Sequence, residues 1–252
     1  MLRSPGELGT VLGIWAHPDD EAYLSGGLMA DIVEQGGRVI CVTATRGEAG
    51  FGDDDTRTVD ERMAIRTAEL DACLAVLGVR DHHWLGYPDG ACAEVTEDEP
   101  VAKLTEVLND VKPETVLTFG PDGMTRHRDH IAVGRWATMA CARADQGPAR
   151  LLYATKVAAW NELFAATVAP ASTMMEEEIL PPETDPDALA AWFQFEHHAL
   201  ERKVTALERQ ASQTAPLMAD LGPAMFRTLI ADEYFREPSP GDHTGTVERD
   251  GR

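Results

Sequence analysis

The chain has 252 residues, 43 acidic against 22 basic, and a formal net charge of −21. With 44% apolar and 26% charged residues it has the usage of a soluble globular chain, with ample material for a core. An acidic surface repels phosphate backbones and anionic lipids, which weighs against nucleic acid as a partner. No apolar stretch approaches the roughly 20 residues that span a bilayer. Met1 to Glu7 lack the apolar centre of a signal peptide, so the expected location is cytoplasmic. Cys41, Cys73, Cys92 and Cys141 show no paired spacing, which predicts buried free thiols and not disulfides or a zinc ribbon.

Strand and helix patterns alternate along the chain, the signature of a parallel α/β sheet. Thr10 to Trp15 reads as a strand buried on both faces, and a helix opens near Ala22. Arg38 to Thr45 is a second strand, ending in the glycine-rich, acidic loop Arg46 to Asp55, whose acids read as a solvated face. Thr58 to Leu77 is a helix stopped at Gly78. His82 to Leu85 is a short strand. Its adjacent histidines face opposite sides and cannot serve one metal. A helix over Glu99 to Val111, a strand over Glu114 to Phe119, a helix over Ile131 to Arg143 and a strand over Leu151 to Ala154 follow. Thr173 to Pro186 reads as an irregular surface connection, and Asp187 to Gln213 and Leu221 to Arg236 as helices. His197-His198 reads as a surface or packing pair. The expected organisation is one domain over residues 1–236 and a flexible tail over 237–252.

Two polar clusters interrupt this pattern. Ala16-His17-Pro18-Asp19-Asp20-Glu21 ends the first strand, where open α/β sheets bind ligands. His17 and Asp20 are three apart, share a face in a helical turn, and suit zinc or a similar divalent ion. Asp19 lies between them, free to hold a water. The plain alternative is a Pro-Asp turn with an aspartate helix cap. His127-Arg128-Asp129-His130 ends the fourth strand in the same way, with two histidines on one face. His17, Asp20 and one of these histidines would leave a coordination position for water, as catalytic zinc sites do.

On these motifs the chain resembles the zinc-dependent N-deacetylases related to LmbE and PIG-L. Ala16 to Glu21 resembles the family's first motif, and Gly120-Pro121-Asp122-Gly123 with His127 to His130 its second. Thr45-Arg46-Gly47-Glu48, Arg66 with Glu69, Leu85 to Gly90, and Ser212-Gln213 match weaker motifs, so the resemblance spans roughly residues 10–215. It implies a Rossmann-like α/β fold, a mostly parallel sheet with helices on both faces and a C-terminal helical elaboration. It implies His17, Asp20 and His130 as metal ligands, with zinc as the ion and ferrous iron as the other choice. It implies Asp19 as general base, a protonated His127 stabilising the tetrahedral intermediate, Asp129 orienting a histidine, and Arg66 and Asp89 contacting the sugar. The implied reaction removes an N-acetyl or N-acyl group from a small amino sugar or glycoconjugate. The oligomeric state, monomer or homo-oligomer, is left open.

Two positions depart from the family pattern. Gln210 stands where a histidine is usual, and Arg126 where a glycine is common; both are expected on the substrate side of the pocket. Rival readings are a thiol-conjugate amidase of the same family and a non-catalytic sugar-binding module. A dinucleotide-dependent oxidoreductase is disfavoured because no Gly-x-Gly-x-x-Gly follows the first strand.

Overall fold

A computed structural model describes residues 1–2, 4–168 and 180–243. Strands β1 (Val11–Trp15), β2 (Val39–Thr43) and β4 (Thr115–Phe119) are buried at every position, which is why they read as unbroken apolar runs. With β3 (Asp81–Trp84), β5 (Arg150–Thr155), β6 (Ala191–Gln194) and β7 (Asp232–Arg236) they form one sheet in the order β3-β2-β1-β4-β5-β7-β6. The first five strands are mutually parallel, and β7 runs antiparallel to both its neighbours. Strand order reverses direction between β1 and β4, so a crevice opens beyond the carboxyl ends of those two strands.

Helices cover both faces. On one face α1 (Asp20–Glu34), α2 (Val59–Leu77) and α7 (His197–Arg209) pack together, with α8 (Ala211–Ile230) against α7 and α6 (Ala158–Thr167). On the other, α3 (Asp98–Val111) packs on α5 (Arg128–Arg143), which is preceded by the single turn α4 (Gly123–Arg126). At Gly134 in α5 a Cβ would stand 2.6 Å from the Phe119 carbonyl oxygen. Glycine there lets α5 lie directly on β4 and fixes the height of its first turn over the crevice.

Local signals explain the boundaries. The Thr58 side chain accepts the Glu61 amide, and the Glu61 carboxylate accepts the Thr58 amide at 2.8 Å, so α2 starts where its orphan donors are satisfied. Thr58→Ala is expected to cost about 1 kcal/mol in urea unfolding, the usual loss for a cap. Gly78 ends α2 in the left-handed region at φ 81.

The carboxy-terminal part differs from the expected pair of long helices. Ala191–Gln194 is a strand whose buried Ala191 and Phe193 alternate with exposed Trp192 and Gln194. Four residues are too few to outweigh the helical periodicity that follows. Asp232–Arg236 is also a strand, placed between β5 and β6. It carries a buried Glu233 that sequence would assign to a surface. That carboxylate accepts the Gly27 and Leu28 amides of α1 and pairs with the buried Lys203 of α7 at 2.7 Å. The C-terminal elaboration therefore adds two antiparallel strands as well as helices.

The other local expectations fall as follows. Residues 169–179, including Glu176 to Glu178, and 244–252 lie outside the described residues. Of the tail, Pro240–His243 forms one 3-10 turn, and Asp242 pairs with Arg236 at 2.7 Å. All four cysteines are free and buried. His82 meets the Thr43 hydroxyl at 3.0 Å, His83 pairs with Asp81, and His198 pairs with Glu34. No helix among the described residues is long and apolar enough to cross a membrane.

Candidate active site

The two polar clusters meet in the crevice between β1 and β4. His17 lies two residues past β1, and Asp20 is the first residue of α1. His130 is the third residue of α5. His17 Nδ1 stands 3.1 Å from His130 Nε2. Asp20 reaches both: one oxygen is 3.4 Å from His130 Nε2 and the other 3.7 Å from His17 Nδ1. His127 closes the group, its ring 4.8 Å from that of His17 and 5.0 Å from that of His130.

The partners of these rings set their protonation. His130 Nδ1 lies 3.0 Å from the Gly123 carbonyl oxygen, which can only accept, so Nδ1 carries the proton and Nε2 presents a lone pair. Phe119 stacks on the ring at 4.2 Å and holds its plane. His17 Nε2 faces Asp89 at 3.0 Å and Asp129 at 3.4 Å, so it too is a donor, and the Nδ1 lone pair turns to His130. Asp129 is held by the amides of Gly90 and Cys92. Burial works against charge on Asp89 and Asp129, but His17 outweighs it and both carboxyls lie below the usual range.

Two lone pairs thus face each other across 3.1 Å, beside a carboxylate. Such a gap requires a positive charge. Burial disfavours charge on His17, yet Asp129, Asp89 and Asp20 outweigh it and push its pKa up to about 10, so the carboxylates around this ring favour a cation. His130 is driven well below its ordinary value by burial and by the His17 charge. A tetrahedral ion with bonds of about 2.0–2.1 Å holds its ligand atoms roughly 3.3 Å apart, so the donor set and its spacing fit a divalent metal. Two groups of three bring their ligand atoms within 4.8 Å of one another: His17 with His127 and His130, and His17 with Asp89 and Asp129. The first shares the His17–His130 pair, with His127 in the place of Asp20. The second is different. It sits on the other nitrogen of His17, where the amide donors to Asp129 and the His17 proton account for both carboxylates.

Asp19 is held apart from the ligands. Its backbone is left-handed, φ 104, and its carboxylate accepts from the Arg66 guanidinium at 3.1 Å. Burial lifts its pKa to about 6, opposed mainly by Arg66. Arg66 is 2% exposed, and its two terminal nitrogens serve Asp19, the Pro18 carbonyl, Glu69 and Ser212. The Asp89 carboxylate serves His17 and the Ala49 amide. Both residues expected to meet the sugar are therefore engaged inward, one behind Asp19 and one behind His17.

His127 also caps the helix that carries it. Its Nδ1 accepts the Asp129 amide at 3.2 Å, capping α5, so that nitrogen carries no proton. Burial and the His17 charge lower its pKa below 6.5. With Nδ1 occupied as an acceptor, Nε2 is the nitrogen from which His127 can donate.

The two departures from the family pattern also resolve physically. Arg126 is exposed with φ 60, a backbone that glycine adopts without cost. Arg126→Gly is expected to stabilise the fold by about 0.5–1 kcal/mol. That sum sets roughly 1–2 kcal/mol of left-handed strain against the extra chain entropy of glycine, and thermal unfolding checks it. Gln210 is fully buried and donates to Glu21 at 3.1 Å. Sequence reasoning gave no role to Glu21, Phe119 or the Gly123 carbonyl. The signal for Glu21 was a third acid beside two that already had work to do.

A cleft of about 420 Å³ is lined by the Gly50 to Arg57 loop and by Ser212. The Ser212 hydroxyl bonds Glu69, which with Ser212 holds the Arg66 guanidinium.

The chain is similar to proteins of known description. The family model described as PIG-L, GlcNAc-PI de-N-acetylase, matches residues 12–141. A 1D-myo-inositol 2-acetamido-2-deoxy-alpha-D-glucopyranoside deacetylase of Acidothermus cellulolyticus is 32% identical over 82% of this chain and 80% of its own length. Other curated relatives of that description are matched over about half their own length, 52% for the one from Corynebacterium glutamicum. Two solved structures share the fold. The N,N'-diacetylchitobiose deacetylase of Pyrococcus horikoshii has a TM-score of 0.60 at 22% identity, over 96% of this chain and 87% of its own. The 4-carboxy-2-hydroxymuconate hydratase of Pseudomonas putida has a TM-score of 0.63 at 16% identity, over 92% and 97%. One fold thus carries two reaction types, and the activity has to be argued from the site.

Proposed function

The chain belongs to the PIG-L family, and from that premise we propose that it is a metal-dependent N-deacetylase releasing acetate and a free amine from an N-acetylated amino sugar. The observation that carries this reading is the pair of opposed lone pairs on His17 Nδ1 and His130 Nε2, 3.1 Å apart beside Asp20. These three residues would hold the ion, zinc or ferrous iron. When bound, the ion supplies Lewis acidity, acidifying water and polarising the acyl carbonyl.

The remaining steps belong to the chain's own residues. Asp19 takes the proton of the attacking water as its oxygen bonds to the acyl carbon. His127 donates its Nε2 hydrogen bond to the oxyanion that develops. Asp19, now protonated, returns the proton to the departing nitrogen as the C–N bond breaks. Asp89 and Asp129 keep the His17 proton on Nε2, and Arg66 keeps the Asp19 carboxylate turned to the crevice. Four buried free thiols fit a reducing compartment such as the cytoplasm.

The test is metal analysis of the purified protein together with release of free amine from a panel of N-acetylated amino sugars. About one divalent ion per chain and amine release that stops on chelation are expected. Hydrolysis confined to thiol-conjugate amides would favour the amidase reading. A protein that takes up no metal and turns over nothing would be a sugar-binding module.

A further inference from the structure

Glu21 is fully buried in the first turn of α1, and the chemistry above does not use it. One carboxylate oxygen accepts the backbone amide of Asp19 at 3.0 Å. The other accepts the side-chain amide of Gln210 at 3.1 Å and lies 3.5 Å from Cys73 Sγ. The residue that Glu21 grips is strained. A non-glycine residue at φ 104 costs on the order of 1–3 kcal/mol and persists only where its surroundings over-determine it. Two buried polar groups do so here, Glu21 with its pKa pushed up to about 8 by burial and by the neighbouring Asp19 charge. Arg66 takes the Pro18 carbonyl and the Asp19 carboxylate from one side, and Glu21 takes the Asp19 amide from the other.

We propose that Glu21 is a positioning residue for Asp19, and that Gln210 at the junction of α7 and α8 sets the orientation of the Glu21 carboxylate. The inference rests on the role of Asp19 as base. Gln210 suits the task chemically. Its Nε2 donates to Glu21, while its Oε1 is buried with no hydrogen-bond partner. Turning that amide over would present an acceptor to residue 21 and lose no contact of Oε1. The pair is therefore complementary in two ways, with a carboxylate at 21 facing an NH2 at 210, or an NH2 at 21 facing an oxygen at 210.

This complementarity makes the proposal testable by exchange. In Glu21→Gln, the new carbonyl oxygen keeps the Asp19 amide and the new NH2 meets the turned Gln210. Activity is expected within about threefold of wild type, the scale of a conserved hydrogen bond. Glu21→Met keeps the volume and removes both acceptors. It is expected to lower kcat roughly 10- to 100-fold at unchanged KM and metal content, the scale of a misplaced catalytic group. Gln210→Glu removes the amide donor and sets a second buried carboxyl group against Glu21, and is expected to lower both kcat and the melting temperature. The double exchange Glu21→Gln with Gln210→Glu should restore both.

Hydrogen exchange at the Asp19 amide reads the contact without turnover. It should be protected in wild type and Glu21→Gln and exposed in Glu21→Met, or in Gln210→Glu if the methionine variant does not fold. Wild-type kcat with a protected Asp19 amide in Glu21→Met would overturn the proposal. So would a double exchange no better than Gln210→Glu alone. A wild-type enzyme that releases no amine from any N-acetylated sugar refutes the deacetylase reading instead, and amide exchange then decides whether Glu21 holds Asp19.

Discussion

Asp19→Asn is expected to lower kcat by about 10²–10⁴, the usual weight of a general base, with metal content unchanged. The substitution is close to isosteric, and asparagine tolerates positive φ better than most residues, so the turn after β1 should survive. His17, Asp20 and His130 are untouched, so a loss of metal in this variant would make Asp19 a ligand. The pH profile gives a second reading. Burial raises the Asp19 pKa to about 6 against the pull of Arg66. A base must be unprotonated, so wild-type activity should fall as pH drops through about 6, and a bound cation shifts that limb to lower pH. The residual activity of Asp19→Asn should lack the limb. An unchanged acid limb in the variant would assign it to another group.

The second large effect is expected at His127. Its Nδ1 caps α5 through the Asp129 amide, and its Nε2 proton is free for the crevice. A hydrogen bond that strengthens as the oxyanion forms acts on the transition state, so it raises kcat with little effect on ground-state binding. His127→Ala should lower kcat and kcat/KM together by roughly 10²–10³, the loss of one oxyanion donor. A donor role through Nε2 alone predicts that the alkaline limb survives in His127→Ala, whereas an imidazolium role predicts that it is lost. His127→Asn separates capping from catalysis. Asparagine is a good helix cap, so stability should return while most of the rate loss remains. Full activity in His127→Ala with metal retained would reduce His127 to its cap.

The core of the fold was legible in sequence because β1, β2 and β4 are buried on both faces and α2 carries both its start and its stop signal. The site was legible because His17, Asp19, Asp20, His127 and His130 stand at the ends of two such strands, where nothing apolar disguises them. What was hidden depends on contacts between distant segments. Glu233 sits in a strand because Lys203 and two α1 amides satisfy it, and no local pattern announces that. The protonation of His127 depends on one backbone amide two residues on. Arg66 and Asp89 carry polar side chains that sequence sends toward a substrate. In the fold Asp19 and His17 use them first. Gln210 lies 189 residues from its partner Glu21, so its burial there could not be read from spacing.

The central claim is that the charge required between His17 Nδ1 and His130 Nε2 is met by a metal ion. Anomalous scattering from zinc-loaded crystals, with data on both sides of the zinc edge, tests it most directly. The account predicts one strong peak at about 2.0–2.2 Å from His17 Nδ1, His130 Nε2 and an Asp20 oxygen. A peak on the opposite nitrogen of His17, held with Asp89 and Asp129, would contradict it.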